Sequence, residues 1–289
     1  MPKISILITL SFLAFSAGCG KHAAKAPHTS AAAPKYVDVG TKYYQDGMYD
    51  KAITEYSKVI DVNPHLSYAY YGRGSAYGMQ GNFTEAIFDL NQAIELDPKY
   101  AEAYYGRGRV YAQQNNFAQA VADFTKSIEL KPKYAEAYYA RAYVYGSQGK
   151  LTEAISDCTK AIEINPQLAE AYLGRANCYM AQNKFSDAVA DYTKAIEIKP
   201  DYEDAYSGRG LAYSKQKDFT KAIADCTKAI ELNPNYAGAY LNRAFAYYFD
   251  DQHENAKALE DVHKAQKLGA TVDTDFINAL NSTLNGPGH

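Results

Sequence analysis

A 34-residue period runs through most of this chain and constrains its fold more than any other feature. Prolines recur at Pro64, Pro98, Pro132, Pro166, Pro200 and Pro234. Tyrosines keep the same step at Tyr36, Tyr70, Tyr104, Tyr138, Tyr172, Tyr206 and Tyr240. A second tyrosine series follows seven residues behind, from Tyr43 and Tyr77 through Tyr111, Tyr145, Tyr179 and Tyr213 to Tyr247. Alanines repeat at Ala52, Ala86, Ala120, Ala154, Ala188 and Ala222. Self-similarity at this length marks an architecture in which each repeat buries its apolar face against its neighbours.

One repeat, residues 101–134, shows the local logic. Tyr104, Gly108 and Tyr111 share a helical face by their four- and three-residue steps. Asn115 and Asn116 interrupt the pattern, where other repeats carry Gly47, Gly81, Gly149 and Asn183, all residues that tolerate a left-handed helix end. A second helix follows with Ala120, Phe124 and Ile128 on its inner stripe, and Pro132 stops it. Small alanines at the crossing let two backbones approach closely.

These Tyr, Gly, Tyr, Ala, aromatic, Ala and Pro positions resemble the tetratricopeptide repeat family, in seven repeats over residues 33–270. The resemblance implies an all-α fold: an α-solenoid, wound as a right-handed superhelix, whose first helices line an inner concave face. The last repeat departs from the pattern, with two extra residues between Tyr247 and Ala258 and Gly269 near the expected Pro. Residues 271–289 read as a capping helix over Asp273–Leu284, carrying Phe276, Ile277 and Leu280, and then a Gly-Pro-Gly tail expected to fray.

The other end reads as an export segment. Lys3 precedes an apolar run from Ile4 to Phe15, too short to span a bilayer permanently. Ser16, Ala17 and Gly18 then lead into Cys19, which resembles a bacterial lipoprotein signal over residues 1–18. That resemblance implies acylation of Cys19, a lipid anchor and a place in the cell envelope. Gly20 in place of Asp favours the outer membrane, facing the periplasm. Ser16, where the pattern most often has Leu, leaves plain signal-peptide cleavage open. Residues 19–32 hold no large apolar side chain and read as a flexible tether with a reach of roughly 20 Å.

Two rows of residues beside the structural tyrosines face the concave side in the family fold. One row reads Tyr71, Tyr105, Tyr139, Leu173, Ser207 and Leu241; the other reads Ser75, Arg109, Tyr143, Asn177, Leu211 and Phe245. Small neighbours such as Gly72, Gly106 and Gly208 are expected to leave the rings accessible. Tyr71, Tyr105, Arg109, Tyr139, Tyr143, Asn177, Leu211 and Phe245 are therefore candidate partner-binding residues, because exposed rings give large contact area at little entropic cost. Packing between adjacent first helices is the competing reading for each ring.

Six arginines keep the period, where the family usually has Leu. Five have an aspartate 16 residues on: Arg73 with Asp89, Arg107 with Asp123, Arg141 with Asp157, Arg175 with Asp191 and Arg209 with Asp225. Arg243 has Asp261 at 18, matching the two-residue insertion, while the first repeat has Val39 and Glu55 instead. This co-occurrence reads as a ladder of ion pairs between facing helices rather than a phosphate-binding array, since an unpaired half-buried guanidinium is costly.

Chemistry is not legible anywhere. Cys158, Cys178 and Cys226 occupy core places, with a Cys158–Cys178 bridge conceivable. The six histidines lack metal-site spacing, and no nucleophile elbow, zinc helix or P-loop is present. No cofactor or metal is expected. A net charge of −3, from 30 basic and 33 acidic residues, excludes nucleic-acid binding through bulk charge. The sequence thus reads as a non-catalytic scaffold tethered to the bacterial envelope, taking a segment of an envelope protein or peptide in its groove. Assembly of pili or secretion complexes and recruitment of a protease or cell-wall hydrolase stay open as its task. A peptidoglycan or carbohydrate binder is the alternative, because tyrosine rows also stack on sugars. Oligomeric state is not readable.

Overall fold

The computed structural model describes residues 33–250 and 254–284, and every regular element among them is an α-helix. The export segment, Cys19 and the tether in residues 1–32, and the tail beyond residue 284, lie outside the described residues. The helices form seven pairs, alternating between 13 and 14 residues through the first six, with 13 residues in both helices of the seventh. They are α1 (Ala33–Gln45), α2 (Tyr49–Val62), α3 (Ser67–Met79), α4 (Phe83–Leu96), α5 (Ala101–Gln113), α6 (Phe117–Leu130), α7 (Ala135–Ser147) and α8 (Leu151–Ile164). Then come α9 (Ala169–Ala181), α10 (Phe185–Ile198), α11 (Glu203–Lys215), α12 (Phe219–Leu232), α13 (Ala237–Phe249), α14 (Asn255–Lys267) and the single α15 (Thr274–Leu284).

The chain divides between Asn165 and Pro166 into two compact bodies. In the N-terminal body α1–α8 form four hairpins, each second helix packing on the next first helix. In the C-terminal body α9–α14 form three hairpins, and α15 closes on α14. First helices also touch their neighbours inside each body, α3 against α5 and α11 against α13. The fold is an α-solenoid of seven helical repeats ending in a capping helix.

Turn chemistry sets this rhythm. The first helix of a repeat ends at a residue with positive φ: Gly47, Gly81, Asn115, Gly149, Asn183 and Lys217. The reversal is tied by bonds such as the Asn82 amide to the Tyr77 carbonyl, 3.0 Å. Lys217 sits at φ 64°, a conformation that Gly adopts more readily than a branched or long side chain. The second helices α2, α4, α8, α10 and α12 end at an extended residue immediately before the periodic Pro, such as Asn63 or Asn165.

The hairpin core is narrow because its crossing points are alanine. Ala52, Ala86, Ala120, Ala154, Ala188, Ala222 and Ala258 are all inaccessible to solvent. Larger side chains plug the space beside them, with Tyr56, Leu90, Phe124, Cys158, Tyr192 and Cys226 at one repeating place. In α15, Phe276 and Leu280 are fully buried against Ala258 and Val262.

Candidate functional site

In the second to seventh repeats the two helices are joined through the periodic arginines. Each of Arg73, Arg107, Arg141, Arg175, Arg209 and Arg243 donates from Nε and Nη2 to the two carboxylate oxygens of its aspartate, at 2.7–2.9 Å. The partners are Asp89, Asp123, Asp157, Asp191, Asp225 and Asp261, all buried. Hydrogen bonding to the carboxylate holds five of these guanidiniums above their ordinary pKa, against the opposing effect of burial. The structural tyrosines flank the cations at cation–π distance: Arg141 lies 5.8 Å from both the Tyr138 and the Tyr145 ring centres.

The third donor reaches the preceding repeat. Nη1 of Arg73, Arg107, Arg141, Arg209 and Arg243 bonds Ser57, Asn91, Thr125, Thr193 and Thr227 at 2.6–3.1 Å. One guanidinium therefore joins two helices of its own repeat to the second helix before it. Sequence reading missed this rung, although Ser57, Asn91, Thr125, Thr193 and Thr227 also keep the 34-residue step. In the first repeat Val39 stands in the Arg place, and Glu55 pairs with Lys58 at 2.7 Å.

The candidate rows divide into buried and half-buried positions. Tyr105 is only 4% exposed, with its ring 5.9 Å from Phe124 and 5.0 Å from Tyr134. It is a packing residue, which corrects its assignment to an accessible groove. Tyr71 is half-buried against Tyr100 at 5.2 Å, and burial raises its phenol pKa. Phe245 lies stacked on Phe276 of α15, 4.3 Å between ring centres, so the capping helix covers it. The small residues beside the rings also act differently from expectation. A Cβ on Gly72 would fall 2.4 Å from Tyr56, and one on Gly208 would fall 2.5 Å from Tyr192. These glycines exist to receive buried rings, not to expose them.

Arg109 sits over the Tyr105 ring at 5.8 Å, its Nη2 3.8 Å from Met79 Sδ. In the C-terminal body Asn177 accepts a 2.6 Å hydrogen bond from the Tyr192 hydroxyl, and Leu211 packs at the edge of the same core. Tyr139 and Tyr143 on α7 are half-buried, and Tyr143 packs at the edge of the core around Phe124 and Val144. A third tyrosine series, Tyr100, Tyr134, Tyr202 and Tyr236, caps the starts of the first helices. It keeps the period but hides in the segment after each Pro.

Cys158, Cys178 and Cys226 are buried. Among the described residues no group of three or more His, Cys, Asp or Glu side chains could hold a metal ion. None of their helices is long and apolar enough to cross a membrane.

Comparison with known proteins agrees with this geometry. Tetratricopeptide repeat profiles match residues 135–168 and 203–236, a TPR repeat profile matches 40–81, 79–115, 108–149 and 176–217, and a third matches 226–259. Similar solved structures include a tetratricopeptide repeat protein from Parabacteroides merdae, 21% identical with TM-score 0.61, covering 88% of this chain and 99% of that one. YrrB, described as a TPR protein with an unusual peptide-binding site, is 23% identical with TM-score 0.52, over 64% of this chain and 95% of its own. PilF of Pseudomonas aeruginosa is 15% identical with TM-score 0.65, over 72% and 95%. At these identities the likeness is one of fold. No curated relative matches the chain. Tetratricopeptide repeats are a protein-interaction module without catalytic chemistry of their own, and with profiles matching more than half its length this chain belongs to the tetratricopeptide repeat family.

Proposed function

We propose that the chain is an interaction scaffold of the bacterial envelope that takes a partner segment along the inner face of its first helices. The observation that carries this reading is the contrast between the two sides of the hairpins. On the second helices, charge is neutralised within the chain by exposed pairs such as Lys126–Glu129, Lys160–Glu163, Lys194–Glu197 and Lys228–Glu231. On the first-helix side, α7 carries the half-buried rings of Tyr139 and Tyr143 on a regular helix, which would offer a guest peptide a preformed edge at little ordering cost. The peptide-binding site named for YrrB is a use of the same fold.

The envelope part of the proposal rests on residues 1–19 of the sequence. Acylated Cys19 would hold the domain at a lipid surface, since several acyl chains anchor stably where one does not. Palmitate incorporation that disappears in Cys19→Ala supports this anchor; a chain that carries no palmitate and fractionates as free protein overturns it. Pilus or secretion assembly and recruitment of envelope enzymes both fit such a tethered scaffold.

A photoreactive side chain at Tyr139 tests the inner face, with the same probe at Phe88, 62% exposed on α4, as control. Capture of one protein from Tyr139 but not from Phe88, lost in Tyr143→Ala, supports the proposal. Equal capture at both positions sinks it, and competition by soluble glycan instead moves the reading to a carbohydrate binder.

A further inference from the structure

The 34-residue period allows one place in the fold to be compared with itself. In the third repeat the Lys131 ammonium lies 4.3 Å from the centre of the Tyr134 ring and 2.6 Å from Glu102 Oε1. Ring, carboxylate and ammonium form a small cage, closed by residues 29 and 32 positions after the glutamate. In the fifth repeat Lys199 occupies the same place, 4.3 Å from the Tyr202 ring, which also feels the charge of Glu170. Both covered rings are buried, Tyr134 at 5% exposure and Tyr202 at 9%.

The sixth repeat keeps two of these three parts. Tyr236 supplies the ring and Asp204 the carboxylate, at the same spacing, but Asn233 stands where the lysine would be. Asn233 does not substitute for it: its Nδ2 donates to Glu203 at 3.4 Å, and its Oδ1 accepts from the Asn235 amide. Among the described residues no cation of the chain lies over Tyr236, and the ring is half-buried. The remaining parts are held in place. The Asp204 charge is felt at the Tyr236 phenol, whose pKa burial raises, and Asn242 donates to Ser207 Oγ at 3.1 Å on the same helix as Asp204. Burial, with Glu203 beside it, holds the Asp204 carboxyl above its ordinary pKa, opposed by Tyr236 and by Lys199, whose ammonium lies over Tyr202.

We propose that Asp204 and Tyr236 form a receiving site for one lysine ammonium supplied by a partner protein. The chain itself shows what such a ring and carboxylate hold in the third repeat, and in the fifth a lysine over the equivalent ring. The apolar stem of a lysine covers the ring while its head meets the carboxylate, as Lys131 does beside Glu102. The partner segment is thus basic at this point. The identity of the segment rests on the scaffold reading above, but the site does not.

Titration of the purified full chain with tetralysine, followed by calorimetry at low salt, tests the site. Asn233→Lys supplies the missing ammonium from within and is expected to weaken tetralysine binding about tenfold or more. Thr220→Lys, at the opposite end of α12, makes the same charge change and is expected to alter binding less than about twofold. Tyr236→Leu is a second variant, since Leu66 and Leu168 hold that place in other repeats, and it too should lose binding. Equal weakening by the two lysine variants, or no binding by the unaltered chain, overturns the proposal. Photocapture at Tyr139 is independent of this result, so the site and the scaffold reading can fail separately.

Discussion

Arg209 and Asp225 meet fork to fork, Nε to Oδ2 at 2.7 Å and Nη2 to Oδ1 at 2.9 Å, while the third nitrogen of the same guanidinium reaches Thr193 one repeat earlier. Bidentate geometry makes the pair strong, and its burial makes either partner dangerous alone.

Arg141→Leu leaves the Asp157 carboxylate buried without its cation and is expected to cost about 2–4 kcal/mol in urea unfolding. Adding Asp157→Leu removes the stranded charge, and the double variant should recover much of that loss. Strictly additive losses in this cycle would show that the pair is not coupled.

Thr193→Val keeps the shape but removes the acceptor for Arg209 Nη1. The loss should be about 1 kcal/mol, because water can reach the partly exposed guanidinium. Its signature lies in native-state hydrogen exchange: amides of α11 and α12 should open independently of α9 and α10. Unchanged coupling between these hairpins would leave the rung without a role in cooperativity.

Gly208→Ala drives a methyl to 2.5 Å from the Tyr192 ring and should destabilise the fold by about 1–3 kcal/mol. Combining it with Tyr192→Leu should return part of the loss, since Leu90 holds the equivalent place in the second repeat. Thermal melting of the single and double variants measures this.

Burial pushes the Cys178 thiol up to about 11. A thiol whose folded pKa lies above its unfolded value contributes stability that is complete below the unfolded pKa, near 8.5, and is lost as pH rises through the folded one. Urea midpoints should therefore fall between about pH 9 and pH 11. Cys178→Val, copying Val110 and Val144, should flatten that fall; an identical slope in the variant would assign the alkaline loss elsewhere.

The repeat, its turns and the Arg–Asp pairing are written in the sequence because each depends on one residue type at a fixed step. Tyr105 and Phe245 are less legible. A glycine beside a ring is compatible with an open groove or with a ring pressed into the gap, and only the placement of Tyr56 and Tyr192 against Gly72 and Gly208 decides between them. Phe245 is covered by Phe276, which follows the last repeat and so has no periodic counterpart. The Nη1 acceptors escaped notice because Ser, Asn and Thr share a function but not a letter.

Each interior repeat brings one three-armed guanidinium and one hydroxyl or amide that accepts from the next. Adding or deleting a whole 34-residue module in the interior of either body would keep donors and acceptors equal in number, with Val39 opening the series and leaving no surplus cation. Splitting a module would strand an arginine or an aspartate. The bonding pattern therefore permits this chain to change length by whole modules and penalises any other increment.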